Sequence, residues 1–175
     1  MLLYILIGLV AIIAITLIAA STKPNTVHYE RSIVIDRGPD RILPHIADFH
    51  KWMPWSPWEK KDPNMKRDYN GAASGVGAKY GWNGNNNVGE GTMEITESKS
   101  DHVRIDMHFI RPWKAQCDIN FRTSAEGNAT RLTWTMDGPQ IFMGKVMSLF
   151  MNMDKMIGKD FEAGLAGIKA VAEMN

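Results

Sequence analysis

Val103-Arg-Ile-Asp-Met-His-Phe109, Ala115-Gln-Cys-Asp-Ile-Asn-Phe121 and Leu132-Thr-Trp-Thr-Met136 each alternate apolar and polar residues without a break. A period of two puts successive side chains on opposite faces, so these are half-buried antiparallel strands with one face on a core. The stretches between them, around Arg111-Pro112 and Glu126-Gly127-Asn128, are hairpin-sized. In this register Val103, Ile105, Met107, Phe109, Cys117, Ile119, Phe121, Leu132, Trp134 and Met136 point inward. Arg104, Asp106, Asp118, His102 and His108 point to solvent.

Upstream the pattern continues through Val27–Ile35, Met65–Asn70, Ala78–Trp82 and Gly89–Ser98, which makes seven strands. Pro39 can open a short helix to Asp48, which Pro44 should kink or delay. Phe49–Pro63 carries Trp52, Trp55 and Trp58 among Pro54, Pro57 and Pro63. It reads as an aromatic loop with a helical turn or two. Downstream, Gly138-Pro139 ends the sheet. Phe142, Val146, Leu149, Phe150, Met153, Ile157, Phe161, Leu165 and Ile168 then recur at three and four, predicting one helix to Glu173. Lys145 lies off that stripe. Gly158, Gly164 and Gly167 each weaken the helix by about 1 kcal/mol against Ala, or allow close approach to the sheet. The expected class is α+β, a seven-stranded curved antiparallel sheet wrapped on the long C-terminal helix. Such a wrap can leave a cavity between the two.

Leu2 to Ala20 contains no charged side chain. Roughly 20 apolar residues span a ~30 Å hydrocarbon core, so residues 1–20 are expected to be a transmembrane anchor. Residues 21–26 are then a linker, and 27–175 the domain. The rival is a secretory signal peptide, which needs a basic start and a shorter apolar run. Lys23, Arg31, Arg37 and Arg41 follow the run and nothing basic precedes it. That asymmetry favours a cytoplasmic domain on a single-pass membrane protein. The lone Cys117 forms no internal disulfide. A net charge of +1 without a Lys/Arg block argues against a nucleic-acid partner. Oligomeric state is not legible.

The residues give little catalytic chemistry. His102 and His108 are about 20 Å apart along a strand, too far for one metal ion. No cofactor motif is present. His45 and His50 flank the aromatic loop. Asp36, Asp40, Asp48 and Glu59 could act as acid or base only if desolvated in a cavity, and otherwise serve turns and caps. The inward aromatic and sulfur-bearing set is more informative: Tyr80, Trp82, Met107, Phe109, Cys117, Trp134 and Met136 from strands, Trp52, Trp55 and Trp58 from the loop, and Met147, Phe150 and Met151 from the last helix. These either line an apolar pocket or fill a solid core. Met143, Met147 and Met151 form a further row suited to a ligand entrance or a bilayer surface. The aromatic loop is either a gate to the cavity or a fixed satellite core.

Several strings resemble the START-like superfamily (SRPBCC) in its polyketide cyclase/dehydrase-like branch: Arg31-Ser-Ile-Val-Ile-Asp36, Ala47-Asp-Phe49, Trp55-Ser-Pro-Trp-Glu59, Asp62-Pro-Asn-Met65, Gly75-Val-Gly-Ala78, Phe142-Met-Gly-Lys145, Met153-Asp-Lys-Met156 and Gly158-Lys-Asp-Phe-Glu162. The resemblance spans about Val27 to Ala172. It implies a helix-grip fold and a cavity for a lipid, sterol or polyketide-like molecule. Three functions remain open: a membrane-anchored binding module for an apolar or amphipathic small molecule, a cyclase or dehydratase in the same cavity, and a regulatory or partner-binding membrane protein with a filled core.

Overall fold

The computed structural model describes residues 1–174; Asn175, the last residue of the expected domain, lies outside them. The elements are α1 (Leu2–Ser21), β1 (Thr26–Ile35), α2 (Pro39–Ile46), a 3-10 turn (Phe49–Lys51), α3 (Pro57–Lys61), β2 (Lys66–Gly71), β3 (Ala78–Asn83), β4 (Glu90–Ser98), β5 (His102–Arg111), β6 (Ala115–Glu126), β7 (Ala129–Pro139), α4 (Phe142–Phe150) and α5 (Met153–Glu173). The seven strands form one antiparallel sheet in the order β1-β7-β6-β5-β4-β3-β2. This is the helix-grip arrangement, with the curved sheet closed over α5.

The strand register follows the alternation. Val103, Ile105, Met107, Ile119, Phe121, Leu132 and Trp134 are all buried against the core. Phe161, Leu165 and Ile168 of α5 pack opposite them. Close approach of α5 depends on its glycines. A Cβ on Gly164 would stand 2.7 Å from the Trp134 ring. One on Gly167 would stand 2.7 Å from the Trp55 carbonyl oxygen. Arg31, on the inward face of β1, lies directly over Gly158 and pairs with Asp154 and Glu162 of α5.

Three expectations are corrected. The C-terminal helix is two helices. Met151 is extended, and the Asn152 side chain accepts the Lys155 N–H at 2.9 Å, capping α5. A capping Asn outcompetes helix continuation there. Because α4 is uncoupled from α5, its orientation is its own. Phe142 and Phe150 are exposed, while Lys145 is buried and its Nζ donates to Asn25 Oδ1 at 2.6 Å. The helix that α4 packs against is α1. Finally, His102 is buried rather than solvated. A register shift between Ile95 and Glu97 on β4 brings Glu97 to 3.0 Å from its Nε2, and Asp101 contacts Nδ1 at 3.2 Å.

The apolar helix α1 has a mean hydropathy of 3.0 over its most apolar window, and none of that window is buried. By length and composition it is a candidate membrane span.

Candidate functional site

Between the sheet and α5 lies an apolar cavity of about 190 Å³. Its floor is Met93, Met107, Ile119, Trp134 and Met136 from β4 to β7, with Tyr80 and Trp82 of β3. Its roof is Trp52, Trp58, Ile157 and Phe161. Strand alternation aims the floor residues inward, so inward side chains from five adjacent strands, β3 to β7, meet in one place. For scale, an engineered apolar cavity of about 150 Å³ accommodates benzene.

Of the residues singled out above, Trp52, Trp58, Tyr80, Trp82, Met107, Phe109, Trp134 and Met136 line this cavity. Trp55 and Cys117 are buried but stand outside its wall. Trp55 packs behind Trp52 and Phe121. Cys117 sits under Gly138, and burial pushes its thiol pKa up to about 11, so it stays protonated and unreactive at neutral pH. Met147, Phe150 and Met151 lie apart on and beside α4, the latter two exposed. Phe150 has the spacing of the core stripe and Met147 and Met151 that of the row beside it, and the break at Asn152 separates all three from α5.

The aromatic loop is pinned. Trp52 Nε1 donates to the Ile46 carbonyl at 2.9 Å and Trp55 Nε1 to the His45 carbonyl at 3.1 Å. Both indoles are buried, at 5% and 1% exposure. These two bonds fix the loop to α2, as a satellite of the core requires, while Trp58 is half-buried and lines the cavity.

One wall is polar. Pro57 starts α3 at its first turn, where a missing N–H is harmless, and this turns Glu59 into the cavity. Its Oε1 accepts the Tyr80 hydroxyl at 3.0 Å, and its Oε2 accepts Arg67 Nε at 2.8 Å. Burial, and then the Glu59 charge, raise the Tyr80 pKa, so the phenol remains a donor. Asp160 of α5 also reaches the wall and pairs with Lys61 at 2.6 Å. Of the four carboxylates considered from sequence, only Glu59 reaches the cavity. Asp48 instead caps the 3-10 turn by accepting the His50 N–H, and Asp36 and Asp40 stay at the surface. Ser56, Met65, Val88, Met93, Ile119, Ile157, Asp160 and Phe161 also line the cavity and were not among the expected site residues. The signal for Met93 was available in the Met93/Ile95 alternation, whereas Asp160 depends on where α5 lies.

The comparisons agree with this architecture. Residues 26–173 match the family described as polyketide cyclase/dehydrase and lipid transport. A protein of Chromobacterium violaceum aligns with a TM-score of 0.59 at 14% identity, over 86% of this chain and 99% of the other. A Helicobacter pylori protein aligns at 0.60 and 11% identity, over 83% and 88%. The di-domain ARO/CYC protein StfQ of the steffimycin biosynthetic pathway aligns at 0.61 and 8% identity, over 86% of this chain and 51% of StfQ. At these identities the likeness is one of fold. No curated protein sequence matches the chain.

Proposed function

Because the chain belongs to the polyketide cyclase/dehydrase and lipid transport family over residues 26–173, we propose that it is a membrane-anchored binding module that takes a small apolar molecule into the cavity between sheet and α5. The observation that carries this reading is the cavity itself, a continuous apolar chamber with aromatic and methionine walls. Its size narrows the ligand to one or two rings or a short acyl segment. A whole sterol or diacyl lipid needs several hundred Å³.

Filling the chamber tests the reading. Full-length protein in nanodiscs should bind ring-sized aromatics saturably, and Met93→Trp should weaken that binding at least tenfold. Overpacking costs about 1–3 kcal/mol of stability, which a urea melt of the same variant separates from loss of the site. Absence of saturable binding across such a panel would sink the proposal.

The anchor is α1. Its exposed apolar surface supports this, as does α4 packed against it, with Phe142, Met143, Phe150 and Met151 exposed. Lys23, Arg31, Arg37 and Arg41 after the helix favour a cytoplasmic domain. The full chain is expected to stay with membranes after carbonate washing with Leu2 intact. A released chain beginning at Ser21 would instead identify a signal peptide.

Catalysis in the same cavity is the second reading, favoured by the Glu59–Tyr80–Arg67 group. It ranks lower because both Glu59 oxygens are already engaged, leaving neither directed at a substrate proton.

A further inference from the structure

Exposed apolar side chains collect at one end of the sheet. Thr26, the first residue of β1, pairs with Pro139, and Asp137 pairs with Asp118. Phe109 pairs with Ala115, so the β5–β6 turn leaves the sheet at that same end. The turn exposes Ile110 and Trp113. Helix α4, which follows β7 there, exposes Phe142, Met143 and Phe150, with Met151 exposed just after it. Apolar patches of this kind mark interaction surfaces. At the other end of the sheet Lys99, Asp101 and Glu126 are exposed, and Val76 is the one exposed large apolar side chain of the turns among the described residues.

Both parts of the patch are fixed to the domain. Arg111 donates to the Gly84 carbonyl at 2.7 Å and to Asn83 Oδ1 at 3.1 Å, which ties the β5–β6 turn to the β3–β4 turn. Beyond it Trp113 is 46% exposed. Its indole is the one of six with neither a ring contact nor a hydrogen bond. On α4, at 3.6 residues per turn, Phe142, Met143 and Phe150 fall within about 100° of one another, and the buried Lys145 lies on the opposite side. Lys145 Nζ holds Asn25 Oδ1, and the Gln140 N–H holds the Asn25 carbonyl at 2.8 Å.

The occupant follows from α1. This apolar helix packs against α4. It ends at Ser21, and β1 opens at Thr26. Five residue steps allow at most about 18 Å between the end of the span and this end of the sheet. The chemistry suits a membrane interface: tryptophan rings settle at headgroup level, and the exposed Lys114 beside Trp113 can reach lipid phosphate.

Resting on the anchor reading above, we propose that α4 and the β5–β6 turn are seated on the bilayer that α1 crosses. The domain is then held against the lipid surface in one orientation and does not swing on its linker. An apolar surface of this kind enters roughly 5–10 Å into the boundary between headgroups and acyl chains.

Tryptophan fluorescence tests this. The full chain and Trp113→Phe are placed in nanodiscs of phosphatidylcholine, plain or brominated near the carbonyl end of the acyl chains. Subtracting the two proteins isolates the Trp113 emission. Lipid bromine should lower it about twofold or more, and aqueous iodide should leave it nearly unchanged. In the unaltered protein, nitroxide-labelled lipid should broaden the methyl resonances of Met143 and Met151, assigned by single Met→Leu replacements. It should spare Met174, which sits at the far end of α5, where Glu173 meets Asp36. Those resonances decide the matter if Trp113→Phe does not fold. Trp113 open to iodide and untouched by bromine, in a chain that stays with the discs, would overturn this inference and leave the anchor standing. Protection from both quenchers would mean that a second copy or another protein covers the turn, and would overturn it too. A chain that does not co-elute with the discs would overturn the anchor reading, and this inference with it.

Discussion

Trp55→Ala is expected to lower the stability of the folded domain by about 3–5 kcal/mol, the range for truncating a buried tryptophan. Trp55 is 1% exposed and touches three elements at once. Its ring lies 4.6 Å from Trp52, 6.3 Å from Phe121 on β6 and 6.0 Å from Trp134 on β7. Its indole N–H holds the end of α2 through the His45 carbonyl. On the other side, the absence of a side chain at Gly167 lets the α5 backbone rest on the Trp55 backbone. Alanine removes all the ring contacts, and α5 cannot collapse into the space without leaving the sheet. A loss of this size is at least a fifth of the roughly 5–15 kcal/mol by which an ordinary domain is stable. Urea melts of the two proteins measure it. A Trp55→Ala protein of near-normal stability with altered ligand uptake rates would instead make the segment a gate.

The second large effect concerns the polar wall. Removing the cation from a buried ion pair strands the other charge, which typically costs 3–5 kcal/mol. The Glu59 side chain is 6% exposed and that of Arg67 18%, so water offsets part of the loss, and Arg67→Met should destabilise by about 3 kcal/mol. Glu59→Gln combined with Arg67→Met removes the stranded charge and keeps an acceptor for the Tyr80 hydroxyl. That double variant should return to within about 1–2 kcal/mol of the starting protein. The comparison separates the net worth of the pair from the penalty of breaking it, and chemical denaturation of all the variants is sufficient. A double variant no more stable than Arg67→Met would show that Arg67 acts through its bonds to the Met65 and Pro63 carbonyls, not through Glu59.

Strand content, strand register and the inward face were legible from the chain alone. The face a strand residue occupies follows from its own backbone geometry, so the alternation at Val103–Phe109 and Ala115–Phe121 fixes sides without knowledge of any partner. The apolar run of α1 was legible for a similar reason, since length and lack of charge are local properties. The family strings were legible too, and they carried the connection from strands and one long helix to a helix-grip fold.

The rest depended on distances between elements that sequence does not carry. Phe150 shares helical spacing with Phe161 and Leu165, yet a single capping side chain at Asn152 separates the two helices and leaves Phe150 outside. Glu59 and Asp36 are both carboxylates in turn-like surroundings. Which one meets Tyr80 and Arg67 follows from how α3 sits across β2 and β3. Trp52, Trp55 and Trp58 recur at every third position, but Trp52 and Trp58 line the cavity and Trp55 is buried outside its wall. Whether Trp134 finds a partner for its N–H is decided by everything packed around it, because a hydrogen bond needs an acceptor within about 3 Å in the right direction. Local geometry determines where a side chain points; only the assembled fold determines what it meets there.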